Sequence, residues 1–159
     1  MPLTFPGRGT EPSAGYALAI GGTSLAAINQ ETPMSIAGRR VLVVEDDYLT
    51  ALTTIDFLES IGCEVVGPAA RVPAALELAR TAALDAAVLD INIADTMIWP
   101  VADELLRRGV PYLFLSAYSE QYILPARFAS ALCLSKPLEK GRLAHQLGAM
   151  WAVATPATD

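Results

Sequence analysis

Three carboxylates stand directly against an apolar run: "VLVVEDDYLT", Val41 to Thr50, sets Glu45, Asp46 and Asp47 behind Val41–Val44. A run of Val and Leu is the pattern of a strand buried on both faces. Carboxylates crowded at its mouth repel one another, and burial makes each harder to ionise. Other apolar runs also end in polar groups: "AAVLD" in Asp90, "YLFLS" in Ser116, and "ALCLS" leads into Lys136. A divalent cation would relieve the repulsion, because Mg²⁺ takes hard oxygen ligands, keeps several waters and needs only one or two direct carboxylates. One carboxylate could then attack a phosphoryl group and form an acyl phosphate. The cation, the Lys136 ammonium and the Ser116 hydroxyl would surround the phosphoryl oxygens with positive charge and donors.

Each residue alone has a plainer reading. Asp46 or Asp47 would cap a helix, Asp90 would form a turn, Ser116 would bond local backbone and Lys136 would be solvated. Those readings must hold together, and they leave the carboxylates on one rim without an explanation.

The elements that would build this rim repeat as strand and helix from Arg39 onward. Strands are expected at 40–45, 64–69, 86–90, 111–116 and 131–135. Helices are expected in "YLTALTTIDFLESIG", "VPAALELARTAA", "WPVADELLRRG", a shorter Pro-broken "SEQYILPARFAS" and a final "LEKGRLAHQLGAMWAVA". In the first helix Leu49, Leu52, Ile55, Phe57 and Leu58 mark an apolar face, and Gly62 and Gly109 sit where C-terminal caps belong. Strictly alternating strands and helices imply right-handed crossovers and a parallel sheet covered on both faces, with chemistry at the carboxyl ends of its strands. Residues 1–37, with Pro2, Pro6, Pro12 and Pro33, read as an irregular extension. Residues 38–153 read as the folded domain and 154–159 as a short tail.

The chain has 159 residues, a formal net charge of −6 and pI ≈ 4.7. Nucleic acid would be repelled by that balance. The pairs Arg39–Arg40 and Arg107–Arg108 read as solvated ends of a strand and a helix. Cys63 and Cys133 lack CxxC spacing, which argues against a disulfide framework or a zinc site and suits a reducing, cytoplasmic setting. Both read as small apolar residues in or beside strands. No apolar run is long enough to span a bilayer. "GYALAIGGTSLAAI" is a poor signal-peptide core, being interrupted by glycines. His145, the single histidine, reads as an ordinary helix residue, and Trp99, Met150 and Trp151 as packing residues.

The motifs "VLVVEDD", "AAVLDINI", "YLFLSAYS" and "CLSKP", in that order and over residues 39–153, resemble those of the receiver domain of two-component response regulators. The resemblance implies an α/β, flavodoxin-like doubly wound fold, (βα)5, with strand order 2-1-3-4-5. It implies that Asp90 accepts a phosphoryl group from a histidine kinase or a histidine phosphotransfer protein. Asp46 would bind Mg²⁺ directly (Mn²⁺ could substitute), together with Asp90 and the backbone carbonyl of Asn92, while Glu45 would reach the metal through water. Lys136 would bind the phosphoryl group, Ser116 would be the switch hydroxyl, and Pro137 would follow a cis peptide bond that turns Lys136 inward. Asp47 is left as the helix cap.

One departure concerns the switch. Receivers usually carry Tyr or Phe three residues before the lysine, and here that position is Cys133, too small to fill the space. Tyr118, two residues after Ser116, resembles instead the tyrosine of the "FAT GUY" subgroup of single-domain receivers, as do "WPVADELLRRGVPYLF" and "LPARF". The expected output is contact with an unknown protein effector, without nucleic acid and without membrane insertion. The domain would be a phospho-accepting signalling module, not a conventional enzyme. Two other classes compete: a phosphate-independent interaction module, and a small aspartate-based phosphatase, since "DIN" is distantly similar to the "DxD" of haloacid dehalogenases. Asn92 in place of the second Asp removes that phosphatase family's acid/base.

Overall fold

The four apolar residues that precede Glu45 alternate between two cores. In β1 (Arg40–Val44), Val41 and Val43 face one apolar cluster and Leu42 and Val44 face the other. The same division holds in β3 (Ala86–Asp90) and β6 (Tyr112–Ser116): Val88, Leu113 and Leu115 lie on one side, and Leu89 and Phe114 on the other. Side chains alternate across a strand, so a continuous apolar run requires cover on both faces. Helices α1 (Tyr48–Ser60) and α4 (Lys140–Ala154) cover one face through Leu58, Leu143, Leu147 and Trp151. Helices α2 (Val72–Thr81) and α3 (Trp99–Arg108) cover the other through Ala75, Ala79, Val101, Ala102 and Leu105.

The computed structural model describes residues 36–117 and 124–154. These belong to one unit that begins at Ile36, whose side chain packs against the cluster around Leu58 and Leu147. With β2 (Glu64–Ala69) and β7 (Leu132–Ser135), the main sheet runs β2-β1-β3-β6-β7, all parallel. That is the expected 2-1-3-4-5 order of a flavodoxin-like doubly wound fold. A small antiparallel hairpin, β4 (Asn92–Ile93) and β5 (Thr96–Met97), lies between β3 and α3 and accounts for the extra strands.

Local chemistry fixes the element ends. Asp47 caps α1 by accepting the Thr50 N–H at 2.8 Å. Gly109 ends α3 in the left-handed conformation, φ 73°. Edge strand β2 tolerates Pro68, and Gly67, at φ +100°, lies so close to β1 that a Cβ there would meet the Val43 carbonyl at 2.9 Å.

Several sequence expectations need correction. The buried face of α1 is Ala51, Thr54 and Leu58, whereas Leu49 and Leu52 are 71% and 39% exposed. Thr54 can be buried because its hydroxyl donates to the Thr50 carbonyl at 3.0 Å and so is not left unpaired in the core. The arginine pairs are not simply solvated. Arg108 donates to the Ala79 and Ala82 carbonyls and closes the C-terminus of α2, and Arg40 binds Glu64 and the Ala83 carbonyl. Of the Pro-broken fourth helix, the described part is one 3₁₀ turn, Ala126–Phe128. It is held by the Arg127–Asp103 ion pair and by Phe128 stacked on Trp99 at 5.6 Å. The cysteines lie in or beside strands as expected: Cys63, just before β2, is buried, and Cys133, within β7, is exposed on that edge strand.

Candidate functional site

Parallel strands deliver four of the expected residues to one edge. Glu45 follows β1 directly, Asp90 ends β3, Ser116 ends β6 and Lys136 follows β7. Three of them are buried: Glu45 is 2% exposed, Ser116 4% and Asp90 7%. Lys136 joins two carboxylates, its Nζ donating to Glu45 Oε2 at 2.7 Å and to Asp90 Oδ2 at 2.9 Å. The Lys136 backbone N–H donates to the Ser116 carbonyl at 2.9 Å, and the Lys136–Pro137 peptide bond is cis, as expected.

Electrostatics at this edge follow from burial. Desolvation pushes Glu45 up from its ordinary 4.5 to about 7, with the Asp90 charge adding to the rise and the Lys136 bond opposing it. Burial alone would lower Lys136, but its bonds to Glu45 and Asp90 prevail and hold it above its ordinary value.

Asp46 is exposed and beside the other two carboxylates. One oxygen from each of Glu45, Asp46 and Asp90 lies within 4.8 Å of the others. Such a set of hard oxygens suits a divalent cation. The loop after Asp90 adds to it. The Asn92 N–H donates to Asp90 Oδ1 at 3.3 Å. The Ile98 N–H donates to the Ile91 carbonyl, which makes Asn92 and Met97 the non-bonded pair of the hairpin. The Asn92 carbonyl therefore faces away from β5. The Asn92 Oδ1 is buried without a protein donor.

Cys133 is paired with Phe114 in the sheet and its side chain is exposed. Tyr118 lies outside the described residues. His145 is exposed on α4. The hairpin itself, and the Ala94 N–H that Asp46 accepts at 2.9 Å, escaped sequence reasoning. "NIADTM" carries no Asn-Gly or Asp-Gly to signal a two-residue turn.

A doubly wound sheet thus carries acidic, hydroxyl and lysine groups on four adjacent strand ends. No family model matches the chain. It is 29% identical over 102 residues to the phyllosphere-induced regulator PhyR of Methylorubrum extorquens, covering 62% of this chain but only 38% of that protein. SdrG from Sphingomonas melonis Fr1 is similar at 32% identity and TM-score 0.64, over 71% of this chain and 96% of SdrG. The receiver domain of sensor histidine kinase PA1611 from Pseudomonas aeruginosa PAO1 shares the fold at 23% identity and TM-score 0.64. The match covers 73% of this chain and 99% of that domain, whose structure has magnesium in its active-site cleft. The chain belongs to the response-regulator receiver family of two-component signalling systems.

Proposed function

We propose that this domain accepts a phosphoryl group on Asp90 from a histidine kinase or histidine phosphotransfer protein. The observation that carries this reading is Lys136 Nζ, shared between Glu45 and Asp90, with the buried Ser116 at the end of the neighbouring strand. An Asp90 carboxylate oxygen forms the bond to phosphorus while the bond from phosphorus to the donor imidazole nitrogen breaks and the imidazole leaves. Lys136 supplies positive charge to the phosphoryl oxygens, and Ser116 a hydroxyl donor. Asp46, Asp90 and the Asn92 carbonyl would hold Mg²⁺, or Mn²⁺ in its place, with Glu45 reaching it through water. The bound cation would offset the charge of the phosphoryl group as it transfers.

Domain organisation follows the same reading: residues 38–153 carry the function, while 1–37 and 154–159 are appendages. Output goes to a protein effector through Tyr118, as in the single-domain FAT GUY subgroup, since Cys133 is small and exposed. Donor docking is supported by the exposed Tyr48, Leu49 and Leu52. Beside them a groove of about 420 Å³, lined by Leu49, Thr53, Lys136, Pro137 and Leu138, opens next to the site. We place the domain in the cytoplasm, where such donors work. Among the described residues no helix is long and apolar enough to cross a membrane, and Cys63 and Cys133 are free thiols.

The test is incubation with acetyl phosphate or phosphoramidate plus Mg²⁺, followed by intact-mass measurement. A single labile phosphoryl adduct is expected. Continuous turnover of unrelated phosphomonoesters would identify a phosphatase instead, and no adduct under any donor would identify a phosphate-independent module.

A further inference from the structure

The segment between Asp90 and α3 is tied to two carboxylates at once. The Asn92 N–H donates to Asp90 Oδ1, and two residues later the Ala94 N–H donates to Asp46 Oδ2 at 2.9 Å, across 48 positions of sequence. What aims the second bond is unusual backbone. Ala94 and Asp95, the central residues of the hairpin turn, have φ +49° and +64°. Two consecutive positive φ values match the twist of a tight hairpin, but Asn-Gly or Gly-Gly normally supplies them. An Ala with its Cβ in that region is strained and persists only where the surroundings over-determine it. Packing at the tip does not explain it, because residues 94–97 are exposed. The anchor is beneath: Ile91, Ile93 and Ile98 are all fully buried.

We propose that the Ala94–Asp95 turn is a positioning device for the cation site. The buried isoleucines fix the hairpin, the left-handed turn directs the Ala94 N–H outward, and that N–H holds the exposed Asp46 carboxylate in one orientation beside Glu45 and Asp90. Mg²⁺ demands near-ideal octahedral geometry, so a freely rotating surface carboxylate would have to be ordered each time the ion binds. Hydrogen-bonded partners of metal ligands typically change metal affinity 10–100-fold when removed. The inference rests on the phosphoacceptor reading, which makes Asp46 a metal ligand, and it assigns Ala94 a positioning role through Asp46.

The test uses the full chain and Mg²⁺ alone. Ala94→Pro removes the N–H and cannot adopt a positive φ, whereas Ala94→Gly keeps the N–H and removes the Cβ strain. Calorimetric titration should show Mg²⁺ binding weakened at least tenfold in the proline variant and unchanged or tighter in the glycine variant, with circular dichroism showing both folded. A second readout does not depend on the proline variant folding. In the wild-type protein, the Ala94 amide resonance should move in step with the calorimetric titration, because its acceptor is engaged by the ion. Full Mg²⁺ affinity in a folded Ala94→Pro protein, or an Ala94 amide that stays still at metal saturation, would overturn the proposal. In either case an Asp90 adduct with phosphoramidate and Mg²⁺ would leave the phosphoacceptor reading standing. Absence of both metal binding and adduct in the wild type would remove the two together.

Discussion

Glu45 should make the metal-free protein lose stability as pH rises. Its carboxyl is 2% exposed and raised from 4.5 to about 7, burial being the largest cause. The sign follows from proton binding. Between pH 4.5 and 7 the folded state holds a proton that the unfolded chain has released, so raising the pH favours unfolding. The contribution is fully present below about pH 4.5 and lost by the time pH passes about 7. At about 1.4 kcal/mol per pH unit, the displacement from 4.5 to about 7 corresponds to about 3 kcal/mol. Urea unfolding in EDTA between pH 4.5 and 8 measures it, with His145→Gln as the common background so that no imidazole contributes. Wild type should lose on the order of 2–3 kcal/mol across the window. Glu45→Gln, which keeps an acceptor for Lys136 but cannot ionise, should show little slope. A flat wild-type profile, or an equal slope in Glu45→Gln, would refute the burial argument.

Asp90→Asn should keep the fold and lose the phosphoryl adduct, since the amide is nearly isosteric but cannot attack; persistent full labelling by intact mass would reassign the acceptor. Asp46→Ala should weaken Mg²⁺ binding at least tenfold, and an unchanged calorimetric affinity would take Asp46 off the metal. A chain starting at Met34 should be labelled like the full chain, and a folded but unlabelled product would show that the extension completes the site. With beryllofluoride as phosphoryl mimic, amide exchange over residues 116–130 should change in wild type and in Cys133→Ala but not in Tyr118→Ala. The reverse pattern would sink the proposed switch.

The architecture was legible because its signals are redundant. "VLVV", "AAVLD" and "YLFLS" each carry too many apolar residues for a strand with a solvated face, and the intervening helical stretches leave a doubly wound parallel sheet as the consistent answer. The strand-end positions of Glu45, Asp90, Ser116 and Lys136 followed from that topology. What the sequence concealed depends on single bonds, not patterns. Thr54 looks polar, yet a bond to its own helix lets it enter the core in place of Leu52. Arg108 looks like a solvated helix end, yet α2 ends against it with carbonyls to satisfy. The Ala94–Asp95 turn runs against local preference, and turns of that kind are invisible to any rule built on preference.

The same contrast explains how the edge works as a unit. Glu45, Asp46 and Asp90 set three negative charges against the single ammonium of Lys136. With Glu45 ionised the edge carries two uncompensated charges, which is what a divalent cation neutralises; with Glu45 protonated it carries one. Burial therefore does two things at once. It limits screening by water around Glu45 and Asp90, so that the Lys136 ammonium, and a cation where one binds, would act strongly on a group held at Asp90. It also makes Glu45 costlier to ionise beside Asp90, which favours its protonated form over that of an exposed carboxyl. Asp46, exposed and unable to use burial in this way, is instead fixed by a backbone N–H from a hairpin whose geometry its sequence does not favour.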